Sequence, residues 1–592
     1  MTEADAGTPP DRGARVLLAF ATVAVAFAAA DTYVVVLALP DMMAGVGLSA
    51  DELQRAAPIV SGFLLGYVAV LPLVGRLADL RGRLPVLLGS LAVFALGSLV
   101  TAAAYDLPSM VAGRFLQGVG GGGLVPATLA LVADIYPAHR RGVPLGIVGA
   151  VQELGSVLGP LYGAVVLAVG SWRSIFWVNL AVGLVLAAAL RAVRNEARVA
   201  RSGTARRCDG WGAALTVLLL ACLLLTMLEP DAIARDVTLG LAFVPLVGET
   251  RWLAPAGLAT AGLLVLLVAR CLTARHPLVD LRGWAAVSRR VDAAGAALLS
   301  LALGCVIVAF ASADPEVQVF SPLGPYLLVV AAVAAAGFWW RNRVARDPLV
   351  PRRSLAALPA WGSLVVSFFV GSALIAALVD IPIFARITVH PDSQLAAALV
   401  LVRFLVALPV GAVVGGWLTH RAPAGVVTAA GMVLAGVSFW QMSTWGLTTL
   451  ESAWTTVPLA VAGFGFGLAI APVNAALLAS TALEVHGIAS ALLVVARMVG
   501  MLVGISALTT LGMRQYYAEQ ADLPAPMDVC GEGVSKCSEF TLILREAGLT
   551  ELQVIFLGAA VCCALAAVSA VVLFRGAETR AVRSSPLEAG IG

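Results

Sequence analysis

Apolar stretches of about 20 residues alternate with short polar breaks from Val16 to Phe574. Each is long enough to cross a hydrocarbon core ~30 Å thick as one helix, so the chain reads as an all-α membrane protein. Six spans fall between Arg15 and Arg194, at roughly 16–40, 56–75, 84–105, 108–135, 142–169 and 173–193. Four follow near 210–228, 252–269, 291–311 and 322–340. The last six lie near 359–387, 394–418, 424–445, 455–480, 486–517 and 549–574. The first run lacks a small-residue cleavage site and reads as a retained helix, not a signal peptide.

Threading sixteen spans from an inward N-terminus places the arginine-rich breaks on one side. The loops Arg76–Arg83, His139–Arg141, Arg191–Arg207, Arg270–Arg290 and Arg341–Arg353, and the tail after Arg575, all fall inside. Outward loops hold scattered cations only, such as Arg55, Arg173 and Arg251. This bias orients a multi-pass protein of the cell (inner) membrane with both termini cytoplasmic. Fourteen spans would keep the same parity. Composition agrees with lipid as solvent. The chain is 60% hydrophobic and 12% charged, against roughly a quarter charged in soluble proteins. A net charge of +3 gives no reason to expect a nucleic-acid partner.

An internal repeat marks the middle of the chain. Asp209–Cys222 aligns with Asp292–Cys305, each opening a span, and each hairpin closes on a basic proline segment, Arg275–Val279 and then Arg346–Val350. The expected organisation is a six-helix bundle over 1–193, a linker of two duplicated hairpins over 194–358, and a second six-helix bundle over 359–575. That second bundle includes an extended external hairpin over 512–549, and a tail over 576–592 follows. The hairpins are expected at the periphery.

Three motifs carry the chemistry. Gly75-Arg76-Leu77-Ala78-Asp79-Leu80-Arg81-Gly82-Arg83 fills a short inward loop. Its glycines permit a tight turn, and Asp79 can meet a helix N-terminus or an arginine. Arg114-Phe115-Leu116-Gln117-Gly118 puts a cation inside an apolar span, which is costly unless it faces protein or water. Gly155, Gly159 and Gly163 share one face of the fifth span, with Pro160 free to bend it. The ordered loop resembles the signature of the major facilitator superfamily. The other two resemble that family's fourth-helix arginine motif and its antiporter motif, the latter associated with exporters. Asp31–Pro40 and Trp172–Asn179 are similar to the multi-span drug:proton antiporter branch, in which extra helices link two six-helix halves. In the second half the loop is degraded to Gly415–Arg421, without the acid. Asp31–Val36, Gln152–Gly163 and Arg497 together resemble the actinobacterial triacylglycerol exporters that work beside a lipid-carrying lipoprotein. That resemblance implies a lipophilic substrate, proton exchange and an extracytoplasmic lipoprotein partner. A broad-specificity drug:proton antiporter is the other reading.

Helical rise places Glu153 ~18 Å and Arg497 ~17 Å into their spans, near the bilayer midplane. Asp31 lies further out. Charges so deep mark pathways, and a carboxylate in such a place is held protonated by burial and ionised by a nearby arginine. Asp31 and Glu153 are therefore the candidate proton carriers and Arg497 the charge that tunes one of them; a static ion pair is the alternative. Arg403 is a weaker candidate, and Asp380 is expected at an outer helix end. The span from His486 runs helical to about Tyr517, ~48 Å, longer than the membrane. Beyond it, Cys530 and Cys537, two of eight cysteines, can close an external loop as a disulfide or stand as free thiols. The five histidines accompany no catalytic or metal-binding pattern, so no enzyme, metal or cofactor is expected.

Overall fold

The computed structural model describes residues 12–48, 53–137, 140–202, 209–236, 238–247, 250–275, 277–288, 291–311, 323–351, 355–390, 394–521, 538–577 and 579. The first half comprises α1 (Arg12–Gly45), α2 (Leu53–Arg81), α3 (Arg83–Ala102), α4 (Leu107–Ile135), α5 (Gly142–Val169) and α6 (Trp172–Ser202). The insertion holds α7 (Gly210–Leu228), the single turn α8 (Asp231–Ala234), α9 (Pro255–Thr273), the short α10 (Leu281–Ser288), α11 (Ala293–Ala311) and α12 (Gly324–Val344). The second half comprises α13 (Leu358–Ile387), α14 (Gln394–Leu418), α15 (Ala424–Met442), α16 (Thr456–Ala479), α17 (His486–Ala521) and α18 (Ser538–Leu573). Among the described residues, 15 helices are long and apolar enough to cross a membrane. The 28-residue α5, packed on α1 and α14, joins them to give two six-helix bundles with four inserted helices. Helix is the form a spanning chain must take, because it pairs every backbone group without water. The end of the molecule carrying the α2–α3 and α4–α5 turns is called the basic face below, for Arg76, Arg81, Arg83, Arg140 and Arg141.

Local sequence sets where α4 starts. Asp106 accepts a hydrogen bond from the Ser109 N–H (2.9 Å) while the Ser109 hydroxyl accepts from the Asp106 N–H (3.3 Å). This reciprocal cap, with Pro108 in the first turn, fixes the helix two turns before Arg114. At the other end Arg141 donates to the carbonyls of Ala133 and Tyr136, both at 2.9 Å, satisfying groups the helix leaves open.

The halves repeat one packing scheme. A Cβ on Gly118 of α4 would lie 2.1 Å from the Phe63 carbonyl of α2, and one on Gly120 would lie 2.3 Å from the Phe94 nitrogen of α3. In the second half a Cβ on Gly463 of α16 would lie 1.8 Å from the Phe404 carbonyl of α14, and one on Gly465 would lie 2.4 Å from the Gly431 carbonyl of α15. Backbones touch because these positions carry no side chain, the usual adhesive of helices in lipid. Gly118→Val should therefore destabilise the first half at the upper end of the ~1–3 kcal/mol overpacking range or beyond it, since the obstacle is backbone. Loss of the monodisperse peak on size exclusion checks this; an unshifted melting temperature would refute the packing account.

The inserted hairpins are built alike. Asp209 caps α7 through the Gly212 N–H (3.1 Å) and accepts from Arg270 at the end of α9 (2.9 Å). Asp292 caps α11 through the Gly295 N–H (3.1 Å) and accepts from Arg341 at the end of α12 (3.0 Å). The Arg270 hydrogen bond, then the Gly212 N–H, hold the Asp209 carboxyl below the usual range. A depressed value keeps that tie in force above the unfolded value of about 3.9 and releases it only as pH falls through the lower folded one. Their placement differs from the expected common periphery. α7 and α9 pack chiefly on each other, whereas α11 lies along α2 and reaches α17. Ser300 donates to the Ala69 carbonyl (2.6 Å), and Ile307 is fully buried. Asp380, expected at an outer helix end, is buried within α13, which continues to Ile387. Arg403 donates to Thr456 at the start of α16 (3.3 Å) and so sits near the face opposite the basic one.

Candidate functional site

α1, α4 and α6 converge on a polar network sealed inside the first half. Arg114, 0% exposed, donates to Asp31 (2.6 Å) and to Gln117 (2.9 Å) through Nη1, and its Nε reaches the Ile59 carbonyl (3.4 Å). Asn179 of α6 donates to Asp31 at 2.5 Å, and Gln117 donates to Ser98 at 2.9 Å and to Asp31 at 3.4 Å. The guanidinium carbon stands 4.5 Å from the Phe63 ring centre and 5.8 Å from that of Phe176, where ring faces offset part of the lost hydration. Its Nη2 has no hydrogen-bond partner among the described residues. A buried network left one bond short is the more easily disturbed.

A second arrangement joins the halves at the basic face. The Asp79 carboxylate ends α2 and accepts from the Gly487 N–H (2.7 Å) and the Ile488 N–H (2.9 Å), the first turn of α17. Those groups are unpaired within their own helix and lie at its positive end, so a carboxylate is the matching partner. Arg83 also donates to Asp79 (2.5 Å), and its Nε lies 3.4 Å from Asp134 at the end of α4. Two bare-backbone contacts flank this lock. A Cβ on Gly75 would lie 2.6 Å from the Gly487 carbonyl, and one on Gly142 would lie 2.3 Å from the Gly416 carbonyl. Together they close the basic face. Asp79→Asn removes the charge yet keeps one acceptor, and a charge at a helix end contributes ~0.3–1 kcal/mol. A two- to fivefold shift towards the form open at this face is the expected outcome, read from labelling of a cysteine placed at Asn474. No shift would assign Asp79 a purely local role.

Between the halves lies a third feature, a central cavity lined by Gln152, Ser367, Asn474, Arg497 and apolar side chains of α4, α16 and α17. Its volume, about 30 Å³, holds a water molecule or two and no lipid. Glu153 follows Gln152 along α5, and its side chain lies outside the described ones. Arg497 sits on the α17 wall where its carbonyl meets Gly371 of α13.

Asp31 and Arg497, two of the charges expected on the proton route, stand in different places. Arg497 lines the central cavity, whereas Asp31 is closed off beside Arg114 and Asn179. The antiporter-motif glycines Gly155 and Gly159 press on the Ala26 and Ala30 carbonyls of α1, and Gly163 on Val34. They hold α1 and its Asp31 in register; the Pro160 side chain lies outside the described ones. Cys530 and Cys537 also lie outside the described residues. Sequence reading missed Asn179, whose only signal is an amide inside an apolar span, and it missed Gly142 and Gly416.

A sequence model of the Major Facilitator Superfamily matches residues 21–505. The chain belongs to the major facilitator superfamily. Among curated relatives, a triacylglyceride transporter of Mycolicibacterium hassiacum is 36% identical over 524 residues, spanning 86% of this chain and 82% of its own. A triacylglyceride transporter of Mycobacterium tuberculosis is 34% identical over 528 residues, spanning 87% and 85%. The solved structure of the human organic anion transporter MFSD10 shares the fold at a TM-score of 0.51 and 15% identity, covering 94% of this chain and all of that one. As a major facilitator protein the chain is a multi-span membrane transporter, and its central cavity lies between the two halves.

Proposed function

We propose that this protein is a proton-driven exporter that carries a triacylglycerol-type lipid out of the inner membrane towards the cell envelope. The observation that carries the reading is Asp31, a single carboxylate shared by Arg114, Gln117 and Asn179 at the heart of one half. The lipid follows from relatives at 34–36% identity that are named triacylglyceride transporters.

The basic face is towards the cytoplasm, by the arginine bias of its loops. With Asp79 holding α17, that face is shut and the carrier faces outward. A proton arriving from outside neutralises Asp31, and Arg114 then turns to other acceptors within the half. The bundle repacks, α2 withdraws from α17, and the cytoplasmic face opens to lipid. Loss of the proton to the cytoplasm restores the pair and drives closure. Glu153, level with the central cavity, is the second proton carrier, and Arg497 is the charge that tunes it. α17 and α18, 36 residues each, reach ~54 Å. Both outrun the ~30 Å core and form a strut along which lipid leaves towards an external lipoprotein.

Reconstitution in vesicles with an imposed pH gradient tests this. Labelled triacylglycerol should leave the bilayer for a lipid acceptor only when the gradient is present, and ethidium should be a poor substrate. Gradient-driven ethidium efflux without lipid transfer would overturn the lipid assignment, and lipid transfer indifferent to the gradient would overturn proton coupling.

A further inference from the structure

A crevice of about 670 Å³ opens at the basic face between the first half and the inserted helices. Its walls are apolar and come from three bundle helices, with Val74 on α2, Leu88 and Val93 on α3, and Val119 on α4. Its mouth is polar and is formed by Arg81, Arg191, Asp280 and Trp284. The volume is that of a ligand pocket and not of a packing defect. None of the transport steps above uses it.

The mouth is organised. Asp280 caps α10 through the Gly283 N–H (2.9 Å) and accepts a hydrogen bond from Arg81. The Arg81 guanidinium lies 5.7 Å from the centre of the Trp284 ring, and a Cβ on Gly89 of α3 would lie 3.7 Å from that ring's edge. Two arginines against one aspartate leave a charge of +1 at the rim. Arg191, at the basic end of α6, is exposed and has no ion pair or hydrogen bond among the described residues, and the same holds of Arg282, two residues before Trp284 on α10 and outside the crevice lining. A cationic rim with an indole at interface depth, above an apolar slot that runs towards the bilayer interior, matches one chemistry. It is an amphiphile with an anionic head and hydrocarbon tails.

We infer that this crevice is a binding site for an anionic phospholipid, distinct from the transport cavity between the halves. The head lies against Arg191 and Arg282 and shares Arg81 with Asp280, and an acyl chain fills the slot between α2 and α3. A triacylglycerol has no charge and gains nothing at this rim, so the site takes a resident lipid and not cargo. Occupancy braces α10 against the end of α2, two residues from Asp79, so the bound lipid favours the closed basic face. The site itself does not depend on the substrate or the proton coupling proposed above.

The full-length protein in nanodiscs of equimolar phosphatidylglycerol and phosphatidylcholine, released for native mass spectrometry, provides the test. The parent should retain phosphatidylglycerol preferentially, by about fivefold for each unpaired arginine. The double variant Arg191→Gln/Arg282→Gln changes only exposed side chains and should fold normally while losing that preference. Val93→Trp should lower retention of both lipids by filling the slot. Arg275→Gln, an exposed arginine outside the crevice, should retain the preference. Equal retention of the two lipids by the parent, an undiminished preference in the double variant, or an equal loss in Arg275→Gln would each overturn the assignment.

Discussion

Asp31→Asn protein still folds and inserts, but it melts earlier because Arg114 is left without its counter-charge, and its pH-driven lipid transfer falls to the level of empty vesicles. Asparagine is nearly isosteric with the protonated acid, but Arg114 and Asn179 donate to different carboxylate oxygens, so its one carbonyl oxygen keeps only one of the two bonds. What disappears is the second protonation state. Arg114→Leu breaks the same pair from the other side and strands a carboxylate with 0% side-chain exposure. Breaking a buried pair from one side costs about 3–5 kcal/mol, and that variant should melt earlier and express poorly. The double variant Asp31→Asn/Arg114→Leu recovers much of the lost stability and none of the transport. Thermal melts and transport assays on all three separate a coupling role from a structural one. Gradient-driven transfer surviving in Asp31→Asn would move the proton route elsewhere, to Glu153 first.

Gly75→Val and Gly142→Val attack the closed basic face from its two seams. Each new side chain meets a backbone carbonyl at 2.6 and 2.3 Å respectively, and backbone in a packed helix cannot swing aside. Each clash penalises the closed form by about 1–3 kcal/mol and leaves the open form untouched. One substitution alone shifts the equilibrium about 5- to 150-fold. Full inversion from 99:1 to 1:99 needs about 5.5 kcal/mol, within reach only of the pair. The double variant should therefore rest open at the basic face, with a cysteine at Asn474 reacting with reagents from that side, and should fail to cycle. Unchanged reactivity would mean that these seams do not gate the cavity.

Reading the chain alone gave the spans, the two-half plan and the inserted hairpins, because each rests on runs of apolar residues that lipid selects directly. Partnership inside the first half was not legible. Arg114 meets Asp31 across 83 positions and Asn179 meets it across 148, and helices apolar on every side carry no stripe to show which way they turn. Depth could be counted from helical rise, which sets Glu153 and Arg497 near the midplane and Asp31 further out. Rotation about the axis could not, and it is rotation that puts Arg497 on the cavity wall and Asp31 behind it. The degraded loop at Gly415–Arg421 lacks the acid, yet Gly416 supplies a bare backbone for Gly142 to rest on. The inner seams are thus asymmetric, one pinned by charge and one by contact alone.

α17 runs unbroken from His486 to Ala521. Its first turn is gripped by Asp79, Arg497 stands on the cavity wall a third of the way along, and Tyr517 lies ~45 Å from the grip. A stiff rod held at one end is a lever, and each degree of tilt about Gly487 sweeps the distant tip by ~0.8 Å. No relay of side chains is needed to tell the outer surface that the inner door has moved, since the same piece of backbone is both bolt and pointer.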